Sequence, residues 1–180
     1  VLNLAVNAIS PELVGPEIFD LLDKANRESE ETHDLLDNLL KWTKSQTGRI
    51  NVVYQDFDIN EVIPGVVDIF IMIAETKNIK LNYQVCDESL VVRADNDMLK
   101  TVVRNFLSNA IKFSPEGSVI DITSQRDNEY AKISIRDYGV GIAPERIEGL
   151  FHKGESTYGT GGEEGSGLGL NITKNLLMMM

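Results

Sequence analysis

The sequence predicts an α+β protein in two unequal parts, a helical hairpin over residues 1–48 and an α/β sandwich with a mixed sheet over residues 49–180. Two observations carry the prediction. Ile18, Leu21, Ala25, Glu28, Thr32, Leu35, Leu39 and Trp42 step alternately by three and four residues, which draws one seam along a helix of about seven turns. From residue 51 onward, short runs rich in β-branched residues alternate with two helical patterns, and two strands between 118 and 136 come one after the other in hairpin order. Strands separated by helices imply parallel neighbours and a hairpin implies antiparallel ones, so the sheet must be mixed.

Taken in order, "VLNLAVNAI" shows an apolar helical face at Leu2, Ala5, Val6 and Ile9, and "SPELVGP" ends it with Pro11, Gly15 and Pro16. The long helix after it is too thin to bury its seam alone. Paired with the first helix it predicts an antiparallel hairpin that completes its core against a second copy, a four-helix bundle and therefore a homodimer. The alternative is that this helix lies on the C-terminal domain. "SQTGR" at 45–49 is a polar junction with a glycine, suited to a helix end at a boundary.

"NVVYQDFD" reads as a strand, and Asp58 followed by Glu61 caps a helix running to about Lys77, with Pro64 a point where it could bend. Strands come next in "IKLNYQV" and "LVVRAD", then a helix from about Asn96 to Phe113. The next two strands are joined by the turn "RDN". Residues 154–169 hold seven of the chain's fourteen glycines and read as a long loop whose last part opens the helix "GLGLNITKNLL". Both ends read as interior to a longer protein.

Composition narrows the function. With 42% apolar and 25% charged residues the chain is of ordinary globular type, and a net charge of −11 with a pI near 4.6 leaves no basic face for nucleic acid. A small anion remains possible, because a few backbone amides bind one locally. Cys86 is the only cysteine, so no intrachain disulfide forms and an oxidising compartment is not indicated. The longest apolar stretch, 62–74, is broken by Asp68 and falls short of the ~20 residues that span a bilayer, so no membrane contact by this fragment is expected; the expected location is cytoplasmic, free or as the cytoplasmic part of a membrane-anchored protein.

Three local patterns carry chemistry. On the helix "DMLKTVVRNFLSNAIKFSP", Val102, Val103, Phe106, Leu107 and Ala110 lie on or near one apolar face, while Asn105, Asn109 and Lys112 share a polar side. Two amides and an ammonium offer oxygen ligands for a hard cation and a counter-charge for phosphate, or simply a solvated face. Asp137 in "RDYGVG" comes after a strand whose Ile133 and Ile135 enter a core. Its carboxylate suits the exocyclic amine of a purine, with Gly139 and Gly141 letting the backbone approach a flat ring; a tight turn would use the same residues. "GSGLGL", Gly165 to Leu170, opens a helix whose free amides suit phosphate. It lacks the preceding strand and spacing of a dinucleotide fingerprint, and the chain has no Gly-Lys-Ser or Gly-Lys-Thr of a Walker loop.

In this order the motifs resemble the ATP-binding catalytic domain of sensor histidine kinases, which shares its Bergerat-type nucleotide fold with gyrase, Hsp90 and MutL. "NFLSNAIKF" is similar to the family's asparagine box, "DYGVG" to its first glycine box, Leu150-Phe151 to its phenylalanine box and "GSGLGL" to its second glycine box. The resemblance runs from about Asp56 to the end. It implies that Asn109 coordinates Mg²⁺, that Asn105 and Lys112 support the metal and phosphates as catalytic groups, and that Asp137 holds the adenine amine. It further implies that Gly139 and Gly141 floor the base pocket, and that Gly165, Gly167, Leu168 and Gly169 form the phosphate-facing end of an ATP lid.

The activity implied is transfer of the γ-phosphoryl group of ATP to a histidine, for relay to a response-regulator receiver domain. His33 in "HDLLDN" lacks the arginine and proline of the family's acceptor box and lies on the second helix of the hairpin, and "VLNLAVNAI" resembles the segment just after that box. The expected phosphoacceptor therefore lies upstream of Val1, with none in the chain. His152 and Lys153 open the lid, where Lys153 either reaches the γ-phosphate or is solvated. Two other classes stay open: a conformational ATPase of the same superfamily, against which the hairpin and Asn105 in place of a water-activating acid both count, and a non-catalytic ATP-binding scaffold.

Overall fold

The computed structural model describes residues 15, 18, 21, 22, 51–86, 88–151, 159–162 and 169–180. Ile18, Leu21 and Leu22 are helical; the rest of the expected hairpin, with His33, lies outside the described residues. The element order is β1 (Gln55–Asp58), α1 (Ile59–Glu75), β2 (Lys80–Gln84), β3 (Val91–Ala94), α2 (Asn96–Phe113), β4 (Val119–Asp127), β5 (Tyr130–Arg136), α3 (Pro144–Ile147) and α4 (Gly169–Met179). Among the described residues no helix is long and apolar enough to cross a membrane.

A three-stranded mixed sheet, β2-β4-β5, has β2 parallel and β5 antiparallel to the central β4. The β4–β5 hairpin turns at Asn128, whose φ of 56° lies in the left-handed region that asparagine tolerates better than most residues. β1 and β3 pair antiparallel as a separate two-stranded ribbon. Each of its strands is four residues long because each runs into an aspartate that starts a helix. Asp58 accepts from Asn60 N at 2.9 Å to cap α1, and also from Leu90 N and Ser89 Oγ at 3.1 and 2.6 Å, so the same carboxylate pins the approach to β3. The Ser89 hydroxyl, then the amides, hold its pKa below the usual value.

Asp95 does the same for α2. Its Oδ1 accepts from Asp97 N and Met98 N, both at 3.0 Å, while Oδ2 accepts from Val53 N at 2.8 Å. The residue is only 8% exposed, so removing the carboxylate strands three amides at once. Asp95→Ala is expected to lower unfolding stability by about 2–3 kcal/mol, a lost cap plus a buried unpaired donor. Urea denaturation reads it; a loss below about 0.5 kcal/mol would show that the Val53 bond does not hold in solution.

α1 buries Ile59, Ile63, Val66, Val67, Phe70 and Ala74 along one stripe, and the helix continues through Pro64. That stripe packs with Leu99, Val103, Leu107, Ala110 and Ile111 of α2 against Ile120 and Ile122 of β4. A second cluster joins Met98 and Val102 of α2 to Ile172 and Leu176 of α4, with Phe106 and Val52 beside it. The apolar residues of α2 therefore serve two partners.

Candidate functional site

Helix α2 organises every described element of the site. The last four carbonyls of an α-helix have no partner within the helix. Here Ala110 O accepts from Ser114 N at 3.1 Å and Ile111 O from Lys77 Nζ at 3.1 Å. Lys112 O accepts from Thr160 N at 3.0 Å and Lys77 Nζ at 3.2 Å, and Phe113 O from Val140 N at 3.2 Å. Apart from the Ser114 cap amide, the donors come from the α1–β2 turn, from the loop after β5 and from the segment 159–162.

The loop after β5 is thereby pressed onto the end of α2. A Cβ on Gly139 would lie within 2.3 Å of Phe113 O, so glycine is required there by the protein's own backbone. Gly141 has open space and a φ of +69°, so its requirement is conformational. Both glycines thus have reasons internal to the fold, in addition to the base-pocket role expected of them. Asp137 Oδ1 accepts from Gly139 N at 3.0 Å, closing a tight turn, and no described group bonds its other oxygen. The side chain is exposed. The turn reading and an outward-facing acceptor are therefore compatible: one oxygen shapes the loop and the other faces out.

Tyr138 anchors the same loop from the outer face of the sheet. Its hydroxyl donates to Asp121 Oδ2 at 2.9 Å, Arg136 stands over its ring at 5.0 Å, and Asn82 Nδ2 donates to Asp121 Oδ1 at 3.1 Å. The Asn82 amide and the Tyr138 hydroxyl, with the Arg136 charge behind them, depress the Asp121 pKa. A depressed carboxylate contributes stability above its unfolded pKa and loses it as pH falls through the folded value. Carboxyl ¹³C titration should find Asp121 below the usual aspartate range and Tyr138→Phe should raise its midpoint; an unmoved midpoint would remove the hydroxyl bond.

Asn105 faces α4. Its Nδ2 donates to Thr173 Oγ1 at 3.1 Å and to Gly169 O at 3.4 Å, bringing the start of α4 against the middle of α2. Asn109, one turn on, is partly buried and has no hydrogen-bond partner among the described residues. An amide oxygen in that condition suits a hard cation that keeps most of its shell as water and phosphate. Lys112 stands over the Phe113 ring at 5.2 Å. Phe151 joins the far side: its carbonyl accepts from Asn171 Nδ2 at 2.9 Å and Lys174 lies 5.9 Å from its ring.

The structure thus brings Asn105 to Gly169, the Lys112 carbonyl to Thr160 and, one residue on, the Phe113 carbonyl to the Asp137–Gly141 loop, with Asn109 on the helix between Asn105 and Lys112. Gly165, Gly167 and Leu168, like His152 and Lys153, lie outside the described residues. Lys77, Thr160 and Thr173 were not singled out from the sequence. Lys77 and Thr160 act on main-chain carbonyls, which no residue pattern announces.

The profile of the family described as histidine kinase-, DNA gyrase B-, and HSP90-like ATPase matches residues 94–180. The histidine protein kinase DivJ of Caulobacter vibrioides is 31% identical over 145 residues, covering 78% of this chain and 24% of DivJ. The solved catalytic domain of histidine kinase ThkA is 30% identical, superposes with a TM-score of 0.63 and covers 71% of this chain and 81% of that domain. ThkA in complex with the response regulator TrrA matches at 25% identity with a TM-score of 0.65, over 85% of this chain and 43% of that one. The chain spans about a quarter of DivJ's length. With these likenesses added to the α2-centred arrangement of its motifs, the chain belongs to the histidine kinase family, and residues 94–180 carry that family's ATP-binding catalytic domain.

Proposed function

We propose that this chain is the nucleotide-handling part of a two-component sensor kinase. It binds Mg·ATP and presents the γ-phosphoryl group to a histidine, from which a receiver-domain aspartate takes it. The observation that carries the reading is the gathering of the Asp137 loop, segment 159–162 and the start of α4 on one helix, around Asn105, Asn109 and Lys112.

The unbonded oxygen of Asp137 accepts from the adenine amine, a pairing that guanine cannot offer at that position. The Asn109 amide oxygen is the protein ligand for Mg²⁺, whose bound charge offsets that of the phosphates. Lys112 supplies a further positive charge, and Asn105 holds Gly169 so that the amides of Gly165, Gly167, Leu168 and Gly169 meet phosphate oxygens at a helix start. Such a site works by position and charge more than by covalent chemistry.

Residues 1–48 form the dimerisation hairpin and residues 49–180 the catalytic domain. Ile18 and Leu21, both on the seam, expose 55% and 69% of their surface, which favours a covering partner such as a second copy. The ThkA–TrrA complex supports a receiver domain as the downstream partner. A triphosphate substrate places the domain in the cytoplasm.

Calorimetry with Mg·ATP, ADP and GTP on this chain, followed by detection of acid-labile phosphohistidine in the whole protein, tests the reading. Saturable ATP binding with a clear preference over GTP, together with phosphohistidine, is expected. Binding without phosphohistidine would favour a scaffold, and no binding would remove the nucleotide site.

A further inference from the structure

Of the four terminal carbonyls of α2, Ala110 O is met by the Ser114 cap amide and the other three by donors from three separate parts of the chain, two of which also bond to each other. Lys77 Nζ lies 3.1 Å from Ile111 O, 3.2 Å from Lys112 O and 2.9 Å from Thr160 Oγ1. Thr160 Oγ1 lies 2.6 Å from Ser114 O, and its amide donates to Lys112 O at 3.0 Å. A hydroxyl has a single proton. Thr160 therefore accepts from the ammonium and donates to Ser114 O, the nearer of its two acceptors at 2.6 Å against 3.2 Å for Lys112 O, completing a closed circuit of Lys77, Thr160 and the helix end. An ammonium at this terminus also opposes the negative end of the helix dipole.

Lys77 itself is held in place. Its amide donates to Ala74 O at 3.1 Å and its carbonyl accepts from Gly117 N at 3.0 Å, fixing it between the end of α1 and the loop before β4. Thr160 is the second residue of the turn closed by Gly162 N donating to Gly159 O at 3.1 Å. Both residues thus bear on Lys112, whose side chain is the proposed phosphate counter-charge, and Thr160 bears on Ser114 as well.

We propose that Lys77 and Thr160 are positioning residues for nucleotide binding. As one unit they clamp segment 159–162 to the α2 terminus and so set where Lys112 meets the phosphates, without touching the nucleotide themselves. The inference rests on the nucleotide reading above. Because the clamp bears on the phosphate side, its loss should weaken ATP more than AMP, whose recognition leans on the base.

The test is calorimetry on the full chain with Mg·ATP and with AMP, alongside thermal melts, for Lys77→Met, Lys77→Arg, Thr160→Val, Thr160→Ser and the Lys77→Met/Thr160→Val double variant. The isosteric Thr160→Val serves if Lys77→Met does not fold. The Met and Val variants should each weaken ATP about tenfold, the scale of one charge-assisted hydrogen bond, with AMP moved less than about twofold. The Arg and Ser variants should stay within about twofold of the parent for ATP, and the double variant should be no weaker than the worse single one, as for groups acting as a unit. Equal losses for ATP and AMP, additive losses, or unchanged ATP affinity with a lowered melting temperature would each overturn the proposal. If the parent chain binds no nucleotide, the nucleotide reading itself falls, whereas parental binding with indifferent variants removes only the clamp.

Discussion

Gly139→Ala should abolish measurable Mg·ATP binding while leaving the sandwich folded. The added Cβ would lie 2.3 Å from Phe113 O, 2.9 Å from Phe113 C and 2.8 Å from Asp137 Oδ1. Two of these atoms are backbone at the end of a helix whose interior side is packed, and that carbonyl also accepts from Val140 N. Neither can step aside at little cost, so the loop must leave the helix and take Asp137 with it.

The loop is exposed and contributes little to either apolar cluster, which confines the damage. ATP affinity should fall by about a hundredfold or more for a strain of about 3 kcal/mol released on leaving the binding-competent form, with only a few degrees lost in the melting temperature. Gly141→Asn is the matched control. Its φ of +69° is one that asparagine tolerates and its surroundings are open, so the loop should stay on the helix, and any weakening of binding should come only from the side chain entering the expected base pocket. Calorimetry beside thermal melts reads both, and Gly139→Ala binding within about threefold of the parent would show that the loop and helix do not need to touch for the site to form.

Asp137→Asn is expected to cost about 10–100-fold in ATP affinity, the range for losing a hydrogen bond to a charged acceptor. The substitution is preferable to alanine because an asparagine oxygen still accepts from Gly139 N and preserves the turn. What it replaces is the outward oxygen, by an amide nitrogen that meets the adenine amine donor to donor. The affinity ratio between ATP and purine riboside triphosphate, which lacks the amine, should therefore collapse towards one. An unchanged ratio would take Asp137 out of the base pocket.

Much of the site was legible because it depends on local geometry. The sequence sets the limits of α2 at about Asn96 and Phe113, where the helix is observed, since an aspartate cap at Asp95 and Pro115 beyond the end both act within a few residues. The shared side of Asn105, Asn109 and Lys112 comes from helical spacing alone, and the β4–β5 hairpin from a turn at Asn128 that needs no distant partner. Where a pattern had no period to read, legibility failed. The apolar run 62–74 conceals which face of α1 is inside, and Ile69, Met72 and Ile73 proved to be exposed at 53%, 75% and 47%.

Thus the chain's linear pattern alone determined the strands, the two main helices and the family, because these rest on side-chain periodicity and on residue types within a few positions of each other. Only the tertiary structure decided that β1 and β3 stand apart from the mixed sheet, that α2 divides its apolar residues between β4 with α1 and α4, and that Gly139 answers to Phe113. It likewise decided that Lys77 and Thr160, 83 residues apart in sequence, meet at one helix end. Such contacts join backbone carbonyls and distant loops, and a carbonyl is the same at every position until folding brings something against it.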